Sequence, residues 1–233
     1  SRCSQDSSAY NCKIYCAKKN GASWSSAEEL GEIINTPAAS TSMPAIGDIN
    51  GQEVLFYSSN KEEGKGGFDI YYSIIKQNGN QYAKPKTLSS INSPDNEVTP
   101  WFNNKTKTLY FASSWWDGFG GLDVFSSKIQ NDFKLEQPKN LGLPINSCAN
   151  DNYFFETSDS LFVSSNRLGA LYTNIPTCCS DIFAFQYPKT NVPPTKKETF
   201  TSLNKRLPVT LYFHNDVPNP RSTEQTTTVN YAS

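Results

Sequence analysis

Gly66-Gly67-Phe68-Asp69-Ile70-Tyr71-Tyr72 recurs along the chain as Gly120-Gly121-Leu122-Asp123-Val124-Phe125 and, with an altered start, as Cys179-Ser180-Asp181-Ile182-Phe183-Ala184-Phe185. Paired glycines allow a tight turn, and a short carboxylate just after them can accept hydrogen bonds from turn amides. The aliphatic and aromatic residues that follow suit a pleated strand. Upstream of each copy stands a second strand signal: Val54-Leu55-Phe56-Tyr57-Ser58-Ser59-Asn60, then Leu109-Tyr110-Phe111-Ala112-Ser113-Ser114-Trp115, then Leu161-Phe162-Val163-Ser164-Ser165-Asn166. Downstream, polar hairpins beginning at Asn20-Gly21, Asn78-Gly79 and Asn131-Asp132 lead to Ile34-Asn35, Ile91-Asn92 and Ile145-Asn146. The recurring asparagines lie 57 and then 54 residues apart, a period used by propellers and solenoids.

A unit of this period holds about four short strands, near 44–49, 54–58, 68–75 and 81–88. Such a sheet, closed by tight turns like Asn50-Gly51, cannot bury both faces alone and must stack on neighbours. The expected fold is all-β, a β-propeller of four-stranded antiparallel blades with about three blades and part of another. Residues 1–36 read as the C-terminal part of a blade, with Ser1-Arg2 matching Asn166-Arg167 and Lys13-Ile14-Tyr15 matching Asp69-Ile70-Tyr71. Blades follow at 37–92, 93–146 and 147–190, the last incomplete in strands, and further copies are expected before Ser1. A Pro-rich stretch at 191–206 reads as a linker, and 207–233 begins another domain.

The 233 residues carry 21 Lys and Arg against 22 Asp and Glu, so no basic field invites nucleic acid. No apolar run is long enough for a transmembrane helix. Cys3, Cys12, Cys16, Cys148, Cys178 and Cys179 read as disulfide candidates in an oxidising compartment, with pairing open. Zinc would need paired C-x-x-C spacings or histidines, and His214 is the single histidine.

Catalysis finds few parts. There is no nucleophile elbow and no phosphate loop, and Glu28-Glu29 and Glu62-Glu63 read as solvated charges. No enzyme activity, cofactor or metal is expected. Gly67, Asp69, Gly121, Asp123 and Asp181 read as structural turn residues, the alternative being catalytic or calcium-binding carboxylates. Asp48-Ile49-Asn50-Gly51 resembles the opening of a calcium loop but stands where a hairpin turn is expected. Trp115, Trp116 and Phe119 gather three aromatics in one loop, either as anchors for a partner or as packing between blades.

The repeated (L/V)-(Y/F)-F-x-S-S and G-G-x-D-(I/V)-(Y/F) motifs resemble TolB-like propeller repeats of periplasmic proteins, especially the OmpA family of Bacteroidota, over roughly residues 1–188. Leu207-Pro208-Val209-Thr210-Leu211-Tyr212-Phe213-His214-Asn215-Asp216 resembles the first strand of the OmpA-like domain that follows such propellers. The resemblance implies a periplasmic, outer-membrane-associated scaffold. Its expected partner is an envelope or secretion-system protein, with the PorE-like domain order of type IX secretion components. It implies peptidoglycan attachment through the downstream domain. The alternative is a carbohydrate- or peptide-binding propeller serving nutrient capture.

Overall fold

The computed structural model describes residues 1–6, 9–76, 81–130, 132–171 and 180–187. The Asn78-Gly79 turn, Asn131, Cys178, Cys179, His214, and the expected linker and OmpA-like segments lie outside the described residues. Ser1–Tyr187 forms one compact unit. Its described elements are all strands, joined by turns and loops, with no helix among them.

The chain opens with a hairpin of β1 (Arg2–Asp6) and β2 (Ala9–Lys13), tied by a Cys3–Cys12 disulfide between residues that face each other across the ladder. Short pairs follow: β3 (Tyr15–Cys16) with β6 (Glu28–Glu29), and β4 (Lys19–Asn20) with β5 (Ser23–Trp24). Cys16 and Cys148 are exposed free thiols, which corrects the expectation that they join disulfides. Cys16 faces Glu28, not a cysteine, across its ladder.

Two four-stranded antiparallel sheets come next. The first holds β7 (Thr41–Ile49), β8 (Gln52–Ser59), β9 (Asp69–Ile74) and β10 (Lys86–Thr87). The second holds β11 (Glu97–Asn103), β12 (Thr108–Ser113), β13 (Asp123–Lys128) and β14 (Lys139–Asn140). A third sheet has three described strands, β15 (Asp151–Glu156), β16 (Ser160–Ser165) and β17 (Asp181–Gln186).

Successive strand residues point to opposite faces, and here both faces are buried. On one face of the first sheet, Leu55, Tyr57 and Tyr71 pack with Ile14 and Ile34 of the N-terminal segment. On its other face, Phe56, Ile70 and Tyr72 pack with Leu109, Phe111 and Phe125 of the second sheet. Val124, on the second sheet's far face, packs with Phe154, Leu161 and Val163 of the third. Each fully buried apolar side chain contributes about 1.5–3 kcal/mol, so the stacking of sheets, rather than any sheet alone, holds the fold.

The ladders correct one sequence register. Ser59, Ser113 and Ser165 stand opposite Asp69, Asp123 and Asp181. The second copy of the upstream motif therefore aligns one residue earlier than its Ser-Ser doublet suggests, and Trp115, not Trp116, occupies the place of Lys61 and Arg167.

The repeated asparagine has a physical role in this frame. Asn92 accepts from the Ile70 N–H at 2.9 Å and donates to the Ile70 carbonyl at 3.0 Å. Asn146 does the same for Val124 at 2.8 and 2.9 Å, and Asn35 for Ile14 at 2.9 Å in both bonds. One side chain thus satisfies both polar groups of a residue just where the short fourth strand ends.

Candidate functional site

The three aspartates act on turn amides. Asp69 Oδ2 accepts from the amides of Lys65 (2.8 Å) and Gly66 (3.3 Å), Asp123 Oδ2 from Phe119 (2.7 Å) and Gly120 (3.0 Å), and Asp181 from Leu171. The glycines make room for the next sheet. A Cβ on Gly67 or Gly121 would lie 2.4 or 2.5 Å from the side-chain oxygen of Asn96 or Asn150. Asp48 Oδ1 accepts from the Gly51 amide at 3.1 Å, and Asn50 and Gly51 have φ of 56° and 77°, the hairpin geometry with two left-handed residues. Among the described residues no group of three or more Asp, Glu, Cys or His is arranged to hold a metal ion.

The first strands of the three sheets lie side by side, with β11 against both β7 and β15. Each carries a bulge at the same place, between Ser42 and Ala45, Val98 and Trp101, and Asn152 and Phe155. Within each bulge one residue takes a left-handed backbone: Met43 (φ 55°), Thr99 (φ 52°) and Tyr153 (φ 49°). That conformation is costly for residues with a Cβ, above all for a β-branched threonine, and bulges of this kind re-aim side chains. The Thr99 hydroxyl accepts from the Tyr153 amide at 3.2 Å and so links two bulges. All three strained residues line one cleft of about 320 Å³, together with Asn96, Asn150 and Asn152. The Asn152 Oδ1 is buried there with no hydrogen-bond partner. The cleft therefore pairs apolar walls from Val98 and Leu122 with the amide side chains of Asn96 and Asn150.

Ser114 and Gly121, which also line the cleft, bracket the aromatic loop. Trp115 and Phe119 are 54% and 51% exposed. Trp116 departs from the surface reading. It is half-buried against the core between the first two sheets, and its Nε1 donates to the Ile91 carbonyl at 3.1 Å. Arg167 makes the corresponding bond to the Ile145 carbonyl in the next sheet. Trp116 therefore ties sheets together, while the side chains of Trp115 and Phe119 stay about half exposed.

Beside the bulges sit two buried carboxylates that the sequence reading did not single out. Glu97 accepts from the Ser93 amide (2.7 Å), the Ser93 hydroxyl (2.6 Å) and the Ser113 hydroxyl (2.7 Å). Asp151, one repeat later, accepts from the Ser147 amide (2.6 Å) and hydroxyl (2.9 Å) and pairs with Arg167 at 2.7 Å. Both are committed to internal bonds.

Burial holds the Glu97 carboxyl above its ordinary range, against hydrogen bonds from Ser93 and Ser113 that pull it down. Burial raises Asp69 as well. A carboxyl raised in the native state keeps a proton that the unfolded chain has released. Its stabilising contribution is complete below the ordinary value of about 4.5 for glutamate and is lost as pH rises through the native pKa. Glu97→Gln is expected to flatten part of that decline in urea midpoints measured from pH 4 upward; an unchanged slope contradicts the assignment.

No family model matches the chain, and no curated protein matches it. Among solved structures it is similar to the catalytic domain of a GH62 α-L-arabinofuranosidase from Coprinopsis cinerea, at 12% identity and a TM-score of 0.38, over 63% of this chain and 46% of that one. It is also similar to the NanB sialidase of Streptococcus pneumoniae, at 11% identity and a TM-score of 0.40, over 67% of this chain and 24% of that one. The chain thus spans under half the length of either.

Proposed function

We propose that this chain is a non-catalytic binding scaffold, a run of propeller blades that holds a protein partner through the cleft between the first strands and the neighbouring Trp115 and Phe119. One observation carries the reading: two large aromatics stand exposed beside a cleft of mixed apolar and amide lining, while the buried carboxylates nearby are spent on internal bonds. Exposed aromatics offer large contact area at low entropic cost, which suits a partner anchor. The TolB-like repeats and the OmpA-like start support a periplasmic, outer-membrane-associated setting with an envelope or secretion-system protein as partner. The same aromatics also suit a sugar ring, which supports glycan or peptide capture as the second reading.

The test separates the two neighbouring tryptophans. The pair Trp115→Ala and Phe119→Ala is expected to weaken partner capture from envelope extracts at least tenfold while leaving the unfolding midpoint nearly unchanged. Trp116→Ala is expected to cost about 2–3 kcal/mol through lost packing and an orphaned carbonyl. Retained capture in the double variant contradicts the proposal. Binding to a soluble glycan panel instead favours the second reading, and turnover of any glycan or peptide overturns the non-catalytic assignment.

A further inference from the structure

A second cleft, of about 350 Å³, lies at the other end of β12 from Trp115. Its floor is one face of the second sheet. Thr108 stands opposite Lys128, Tyr110 opposite Ser126, and Ser126 opposite Lys139 on β14, so strand alternation puts these side chains on one side. Val124 lies farther along the same face, under the third sheet, whose β15 packs across β11, β12 and β13. The inner wall is fixed: the Tyr110 ring stacks on Phe154 at 4.5 Å, and its hydroxyl donates to Glu156 at 3.1 Å. Glu136 and Gln137 add to the lining on the outer side.

The polar groups of this cleft are unspent. Among the described residues, the side chains of Ser126, Lys128, Glu136, Gln137 and Lys139 form no hydrogen bond or ion pair. Lys128 and Lys139 are diagonal neighbours on adjacent strands, a placement that sets Cα atoms about 7–8 Å apart. Their long flexible stems can close that gap on one shared anion, each as a point charge. Glu136 adds the opposite demand. It repels a bare anion, whereas a hydroxylated anion gives its hydroxyls to the carboxylate and its charge to the lysines. A volume near the lower end of ligand clefts, with polar walls, suits one small hydrophilic molecule. We propose that this cleft binds a small hydroxylated anion, a sugar that carries a phosphate or carboxylate group. Lys128 and Lys139 hold the charged group, and Ser126, Glu136 and Gln137 meet the hydroxyls. The site uses neither Trp115 nor Phe119.

Titration of the full chain with glucose 6-phosphate and with glucuronate, followed by amide NMR shifts, tests the site and tells the two anionic groups apart. At least one probe is expected to saturate, moving the amides of Ser126, Lys128 and Lys139 while leaving Val98 and Leu122 of the other cleft in place. Glucose and inorganic phosphate are each expected to bind about tenfold more weakly, the first for want of charge and the second for want of hydroxyls. Both lysines are exposed, so Lys128→Gln with Lys139→Gln should keep the fold and lose about tenfold in affinity. Glu136→Gln should narrow the preference over inorganic phosphate. Trp115→Ala with Phe119→Ala should change nothing here, whereas a glycan held at the aromatic loop would be lost in that variant. No saturable shift with either probe, shifts confined to the other cleft, or inorganic phosphate bound as tightly as the better probe would each overturn the proposal.

Discussion

Asn92→Ala is expected to lower the stability of the 1–187 unit by about 3 kcal/mol, far more than the loss of an exposed polar side chain. The change removes two hydrogen bonds, strands the N–H of Ile70 and leaves its C=O only the Leu88 amide at 3.2 Å, in a residue with no exposure to water that could replace them. Each buried backbone group left without a partner costs about 1–3 kcal/mol. Asn92→Asp is expected to rescue little, because a carboxylate accepts from the Ile70 N–H but repels its carbonyl. Asn146→Ala should behave alike and also removes the bond that Asn146 donates to the Asn140 side chain at 2.7 Å. Asn20→Ala, at an exposed hairpin, is the control and should shift the denaturant midpoint little. A loss below about 1 kcal/mol at Asn92 would mean that the short fourth strand, not the asparagine, closes each sheet.

Gly120→Ala is expected to destabilise by a similar amount, by a different route. A Cβ at Gly120 would stand 1.9 Å from the Ala149 carbonyl oxygen and 2.8 Å from that of Ser147, both backbone atoms of the segment leading into the third sheet. Backbone cannot rotate aside as a side chain does, so the second and third sheets must separate and loosen the cluster of Val124, Phe154, Leu161 and Val163. Overpacking a tight contact costs about 1–3 kcal/mol, and the closeness of this one puts it at the upper end. Gly66→Ala meets the backbone of Pro94 at 2.1 Å and should match it. Gly31→Ala, where nothing lies within 4 Å and the backbone is ordinary, should be neutral or slightly stabilising. Equal effects at positions 31 and 120 would contradict the close approach of the two sheets.

Much of this arrangement was legible because turn chemistry and spacing are local. The Gly-Gly-x-Asp copies announced turn-then-strand units, and the spacing of Asn35, Asn92 and Asn146 gave the period. What the asparagine does was not legible, since its partners Ile14, Ile70 and Val124 lie 21 or 22 residues away. The second copy was misread by one residue because Ser113-Ser114 fits either frame; only pairing with Asp123 fixes it. Trp115 and Trp116 could not be told apart by type, since both lie in the loop after β12 where no strand alternation says which one turns inward. The bulges left a partial signal in Met43-Pro44 and Thr99-Pro100, since proline inside a strand marks a break in the ladder. Tyr153-Phe154 carries no such mark, so the convergence of the three strained residues on one cleft emerges only from the stacked sheets.

The proposed binding role is tested most directly by placing a photo-crosslinking amino acid at position 115 of the protein in its native cells, with position 84 as an exposed control. A discrete covalent adduct with one protein species from position 115, absent from position 84, is the predicted result. No adduct from position 115, or the same smear of products from both positions, would contradict a partner held at the aromatic loop.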